Sequence, residues 1–304
     1  MSQLTLDGGP KITIDTLRKN PLFLPTKILE LLDGQFIDNV LFRYEGDASV
    51  VAYEEGRSLF LDDEVADLVE FEEIPVAGLQ RGLPRIVVAL KKGLGVRISE
   101  DMKREGNIAE VNKQILALTN TLIRARFIAA RQALLNPAIP SIPASAAWDT
   151  SNGRPRRDFA AAMEVIGSAG GTSGDDSHGY EADTVVMPTS LTPIVMDNDD
   201  FLKVYRGNLA SENINYKGKL PNDIMGMLGL GARFWFPDRV LVAQRKTVGF
   251  YTEPRPLEVT PLYPEGNGPN GGPTESHRSD ATMKRANGVD QPLAACWITG
   301  VVTP

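Results

Sequence analysis

The sequence predicts a fold that mixes helices and strands, and three features carry that reading. Apolar residues recur every three to five positions from Ile108 through Val111, Ile115, Leu118, Leu122, Phe127 and Ala130 to Leu134, which is one face of a long amphipathic helix. Runs rich in β-branched and aromatic residues, such as 85–90 and 239–244, lie on both sides of it. Between residues 137 and 237 strand and helix patterns alternate, as in a compact α/β layer.

Taken in order, residues 1–30 are weakly patterned and interrupted by Pro10, Pro21 and Pro25. They read as an extended arm with a short helix at 26–32. Residues 35–76 read as strands. The run 40–44, the turn Glu45-Gly46-Asp47 and the run 49–53 form a hairpin signal, with further extended pieces at 59–61 and 68–72. From Arg43 to Glu73 there are eleven acids against Arg43 and Arg57, a local charge of −9. That pattern fits a solvated acidic face or a projecting hairpin that docks on a basic partner. Residues 85–90 and 96–98 read as strands, and Ser99 opens a helical turn. Asn107 with Glu110 three residues on is an N-cap signature for the long helix, about 45 Å at 1.5 Å per residue, which Pro137 stops.

The stretch 158–166 reads as a helix, 182–188 as a buried strand, 198–205 as a helix and 224–230 as an apolar strand. Polar glycine-containing loops at 170–179 and 207–223 separate them. Runs 239–244 and 248–251 read as a hairpin around Lys246, then come a strand at 257–260, a flexible tip at 264–273 and closing strands that include 294–302.

Composition narrows the function. The chain has 304 residues with a net charge of −7, which disfavours a protein that grips nucleic acid through its overall field. The single cysteine, Cys296, permits no intrachain disulfide and no cysteine-built zinc site, and its apolar strand predicts a small core residue. Only His178 and His277 are available for histidine chemistry. No apolar run approaches the ~18 residues of a membrane span, and the N-terminal residues lack a signal-peptide pattern. The run 266–271 formally fits G-x-G-x-x-G, but prolines interrupt it and no helix pattern follows, so it reads as a loop. Ser177 and His178 beside Asp175 and Asp176 are adjacent in a glycine loop, whereas a catalytic triad assembles from separated segments. The run 197–200 lacks the calcium-loop spacing and reads as a helix cap. No catalytic, metal or cofactor site is expected. An arm, an acidic hairpin and a glycine-rich tip, each without a local core, instead point to a structural assembly protein.

The order of elements resembles the major capsid protein of tailed double-stranded DNA phages, the Hong-Kong-97-type fold. The likeness is specific in 88–99, similar to the strand pair before that family's spine helix, and in 182–188, similar to an axial-domain strand. The stretches 199–207 and 262–276 are similar to capsid proteins of phages infecting mycobacteria and related actinobacteria. The resemblance implies an α+β phage capsid fold. Its parts would be an N-terminal arm (1–34), an extended hairpin loop (35–76), a peripheral domain with the spine helix (77–140) and an axial domain (141–237). Peripheral strands with a tip loop (238–290) and a return to the axial domain (291–304) would complete it.

It implies a shell subunit that forms pentamers and hexamers of an icosahedral capsid around double-stranded DNA. The partners implied are a separate scaffolding protein, a portal protein at one vertex and packaged DNA in non-specific contact, with no membrane, no cofactor and assembly in the host cytoplasm. The rival readings are a tail or accessory virion protein and an enzyme with an unrecognised site. The hairpin would lie on a neighbour, burying Phe42, Tyr44, Val51, Tyr53 and Phe60. Asp62, Asp63 and Glu64 would face Arg124, Arg126 and Arg131 in the basic stretch 81–131, and Asn267 and Asn270 on the tip would meet other capsomers. The family's covalent lysine-to-asparagine cross-link from the hairpin is not expected, because no lysine lies between Lys27 and Lys91.

Overall fold

The computed structural model describes residues 23–32, 36–56, 59–63, 65–79, 81–104, 108–170, 177–198, 224–268 and 272–303. Residues 1–22 of the expected arm, residues 199–205 of the helix expected at 198–205, the loop at 207–223 and the residues Glu64, Asn107 and Asn270 lie outside the described residues.

Helix α1 (Phe23–Leu32) and the single turn α2 (Asp38–Leu41) lead into the short β1 (Arg43–Tyr44). Next come β2 (Val50–Glu55), β3 (Leu83–Val88), β4 (Leu90–Ser99), the turn α3 (Glu100–Arg104) and the long helix α4 (Ile108–Ala133). Then follow β5 (Ser141–Pro143), α5 (Pro155–Gly167), β6 (Thr184–Pro188), α6 (Leu191–Asp197) and β7 (Leu228–Ala232). The chain continues through β8 (Arg239–Ala243), β9 (Phe250–Val259), β10 (Tyr263–Pro264), β11 (Ser276–Gly288) and β12 (Ala295–Thr299).

The first sheet is built on β11. Its thirteen residues pair antiparallel with β9, β10 and, from Ser99 opposite Ser276 to Leu90 opposite Arg285, with all of β4. β1 adds in parallel to β9. Helix α4 packs against β4, β11 and α1, and its apolar stripe of Val111, Ile115, Leu118, Leu122, Phe127, Ala130 and Leu134 is buried. Ser99 accepts the Met102 amide at 3.1 Å, which satisfies a free donor at the start of α3.

The second sheet runs β5-β12-β8-β6-β7. Every residue of β6 is buried, as expected for a strand covered on both faces. Helix α5 covers β12 and β8, with Phe159, Ala162 and Ile166 inward. Proline at its first helical position needs no hydrogen bond there. The two sheets share the end of α4, where Trp297 of β12 donates its indole N–H to the Leu134 carbonyl at 2.9 Å. That bond satisfies one of the carbonyls left over at a helix C-terminus.

Four charged side chains lock the first sheet to α4. Asp38 takes a bidentate pair from Arg126 of α4 at 3.0–3.1 Å and an ion-pair contact from Arg285 of β11 at 3.1 Å. Arg285 also reaches Glu253 of β9 at 3.2 Å, and both arginines donate to the Asn39 side-chain oxygen, at 2.9 and 2.8 Å. Their guanidinium planes cover Phe36 and Tyr251, each 3.6 Å from the ring centre. Burial pulls the Arg126 guanidinium below its ordinary pKa, Asp38 works against that, and Arg285 adds to the lowering.

Several expectations change here. The chain bends at Asp47 after Gly46 at φ +111°, but the runs on either side do not pair with each other. Arg43–Tyr44 lies beside Phe250–Tyr251, because Arg43 is held by Asp290 at 2.6 Å and Phe42 enters the core. Residues 50–55 pair instead with 83–88, so the projecting hairpin is the β2–β3 ribbon with a long loop between its strands. The pieces at 59–61 and 68–72 form no strand. Strands β8 and β9 make no hairpin, because β8 belongs to the second sheet and β9 to the first. The turn between them runs through Lys246 at φ +59°, whose amide is held by the Leu41 carbonyl at 2.7 Å.

Two substitutions test this framework. Asp38→Ala leaves two buried guanidiniums short of a carboxylate and should cost about 3–5 kcal/mol in urea unfolding. At Gly249 a Cβ would sit 2.4 Å from the Gly288 carbonyl and 2.9 Å from the Phe42 ring. Gly249→Ala should therefore lower the unfolding midpoint strongly, whereas Gly167→Ala, with open space around it, should not.

Candidate assembly interface

The β2–β3 ribbon has two unlike faces, because residues directly opposite each other share a face. The register Val51↔Val87, Tyr53↔Arg85 and Glu55↔Leu83 defines the inner face. There Tyr53 meets the Phe250 ring edge-on at 5.0 Å, and the buried Glu55 accepts from Arg85 at 2.7 Å and from Asn136. The Gly56 amide is held by the Asp290 carbonyl at 2.8 Å. The other face carries Val50, Ala52, Ile86 and Val88, all exposed.

Beyond the ribbon the loop is more apolar and more acidic. Val65, Phe71 and Val76 are almost wholly exposed, at 102%, 97% and 94%, and Val69 and Ile74 nearly so. Seven acids lie between Asp62 and Glu73 with no basic residue among them. The loop's internal fastenings are few. The Asp62 amide bonds the Gly78 carbonyl at 3.0 Å, and a turn joins Glu72 to Val69 with Phe71 at φ +73°. Phe60 lies over the His178 ring at 6.2 Å while remaining half exposed, and His178 in turn packs on Tyr180. A bare apolar surface of this extent is uncommon on a monomeric protein and marks a contact surface.

The residues expected at the interface divide into three groups. Tyr44, Phe60, Asp62, Asp63, Arg124 and Asn267 are exposed. Tyr53 and Arg131 are partly buried, Arg131 donating to the Phe234 carbonyl at 3.2 Å with its guanidinium 4.4 Å from the Phe236 ring centre. Phe42 and Arg126 must be withdrawn, since Phe42 is 1% exposed and Arg126 is committed to Asp38 inside its own chain. Sequence reasoning missed the apolar residues of 65–76 as contact candidates. The signal was there, in an unpaired stretch that alternates large apolar residues with acids.

No catalytic grouping emerges among the described residues. Ser177 donates its hydroxyl to the Gly167 carbonyl at 2.6 Å and accepts the Gly179 amide, so it serves the loop. No cluster of three or more His, Cys, Asp or Glu side chains suited to a metal occurs among the described residues. The glycine run at 266–271 is followed by strand β11 and not by a helix. At the base of that tip, hydrogen bonds from Arg97 and Ser276 hold the Glu265 carboxyl below its usual range. No described helix is long and apolar enough to cross a membrane.

Neither a protein-family model nor a curated protein matches the chain. Solved structures do. A virus-like particle from Pyrococcus furiosus matches with a TM-score of 0.56 at 10% identity, over 90% of this chain and 97% of that one. The capsid of Myoviridae phage XM1 matches with a TM-score of 0.50 at 14% identity, over 86% and 89%. A Mycobacterium phage Adephagia structure matches with a TM-score of 0.53 at 13% identity, over 90% and 91%. The chain therefore has the α+β Hong-Kong-97-type phage capsid fold that its sequence resembled.

Burial pushes the Cys296 thiol up to about 11, with 0% of the residue exposed. A thiol with that pKa stays protonated at pH 8, and protonated thiols are poor nucleophiles. A disulfide reagent at pH 8 should label the native protein negligibly and the urea-unfolded protein at one thiol per chain. Rapid labelling of the native form would show that β12 is open.

Proposed function

We propose that this protein is a major capsid protein, the repeating subunit of an icosahedral phage shell. One observation carries the reading. A fold shared nearly end to end with a phage capsid structure also projects an apolar, acidic ribbon that the described residues leave uncovered. In a shell that ribbon is covered by the next subunit. Fully burying a side chain such as Val76 or Phe71 is worth about 1.5–3 kcal/mol, so these contacts supply most of the binding energy. The acids contribute less, since exposed ion pairs bring only ~0–1 kcal/mol each, and they guide pairing and register.

In this reading the first sheet and α4 form the peripheral domain and the second sheet the axial domain that crowds the capsomer centre. Copies form pentamers and hexamers. A separate scaffolding protein, a portal at one vertex and non-specifically held DNA complete the particle, which is assembled in the host cytoplasm. The acidic balance of the chain keeps the inner wall from adhering to packaged DNA.

Negative-stain images of the purified protein, alone or with its scaffold, should show closed shells. Tubes would favour a tail protein, and dispersed monomers under all conditions would overturn the reading. Shells boiled in detergent should run as a single band near the chain mass of 33.1 kDa. An isopeptide bond whose lysine amine comes from residues 35–76 is excluded by the absence of lysine there. A ladder of multiples mapped to that segment would contradict this.

A further inference from the structure

Strand β4 is an open edge. Its one ladder is with β11, and among the described residues no strand lies on its other side. Residues Leu90 to Leu94 are all exposed. An open edge of ten residues presents a row of unpaired amides and carbonyls, which templates the addition of another strand unless something covers it. The strand is also basic, with Lys91, Lys92 and Arg97 and no acid. Successive side chains point to opposite faces, so Lys91 and Lys92 place one cation above the edge and one below.

The acidic loop offers the matching half. From Glu73 to Ala77 no backbone hydrogen bond is made among the described residues, and Ile74 and Val76 stand in solvent. Laid out as a strand, Glu72, Ile74 and Val76 would share one face and Glu73 would take the other. On β4, Leu90, Lys92 and Leu94 share one face and Lys91 takes the other. Each partner therefore presents a charge with two apolar residues on one side and a lone charge on the other, with opposite signs. Pro75 lacks an amide, which an edge strand tolerates. Within its own chain the loop is tethered elsewhere, by Asp62 to Gly78 and by Phe60 over His178, whereas β4 belongs to the first sheet.

We propose that residues 72–77 of one copy add as a strand to the open edge of β4 in a second copy. Main-chain hydrogen bonds supply the pairing, and the Glu72–Glu73 and Lys91–Lys92 charges set its register. This rests on the capsid reading and gives it a landing site different from the arginines of α4.

Hydrogen–deuterium exchange on dissociated subunits and on assembled shells tests it. Amides of 90–94 and of 72–77 should both slow on assembly. The double change Lys91→Glu with Lys92→Glu should slow shell formation about tenfold at low salt. Adding Glu72→Lys with Glu73→Lys should recover much of that rate, while the unfolding midpoint of the free subunit stays unchanged. Shells that form with 90–94 still exchanging freely would overturn this inference and leave the capsid reading standing. Protection of 90–94 without 72–77 would mean that another segment, such as the N-terminal residues, covers the edge, and would overturn the choice of occupant. A chain that never assembles would overturn both.

Discussion

The buried charge cluster around Asp38 is the constraint on which the rest of the structure depends. It draws α2, α4, β9 and β11 to one point through a carboxylate that two arginines share. Two acids, Asp38 and Glu253, face two bases, so the cluster is balanced in charge, while the buried Arg285 Nε touches Asp38 as an ion pair without a hydrogen bond. Burying charges is costly, and such a cluster does not by itself make the fold more stable than an apolar core would. What it does is penalise every other arrangement of the helix on the sheet, because a shift of one residue would strand a guanidinium without its partner. The α4 helix is thereby held at a defined rotation against β4 and β11, and β4 is held with its outer edge free.

That rigidity explains how one chain can carry so much uncovered surface without collapsing onto it. The ribbon is pinned at its root by Tyr53 on Phe250 and by Glu55 between Arg85 and Asn136. Its far end is held by Phe60 over His178 and by the Asp62 amide on the Gly78 carbonyl. The core of each sheet is complete, with Trp297 stitching the end of α4 to β12, and the apolar residues of the loop stay outside it. A chain built this way has packed cores yet leaves apolar surface bare, which suits the assembly proposed above. In the proposed shell, association would add surface burial to a preformed scaffold and would not have to order a new one.

Local pattern made much of this legible. The stripe from Ile108 to Leu134 and the stop at Pro137 marked α4, which runs from Ile108 to Ala133. The buried run at 182–188 marked β6, and the pattern at 158–166 marked all but the first turn of α5. The helix α6 went unread, since Thr192 and Pro193 speak against it and packing on β6 overrides them. The proposed interface was legible as a region, through its charge, and not as a set of residues. Phe42 and Tyr44 look alike in the sequence, yet one is sealed in the core and the other stands exposed.

The sequence by itself determined the long helix α4, the buried strand β6, most of α5, and that the chain is acidic with a single cysteine. These follow from periodicity and composition, which act over a few residues. Only the tertiary structure decided which strands pair, that β8 and β9 part company at Lys246, and that Arg126 is sealed inside while Arg124 faces water. Pairing and burial are set by contacts between segments far apart in the chain, such as Asp38 with Arg126 and Arg285. Nothing within a few residues of either partner records them.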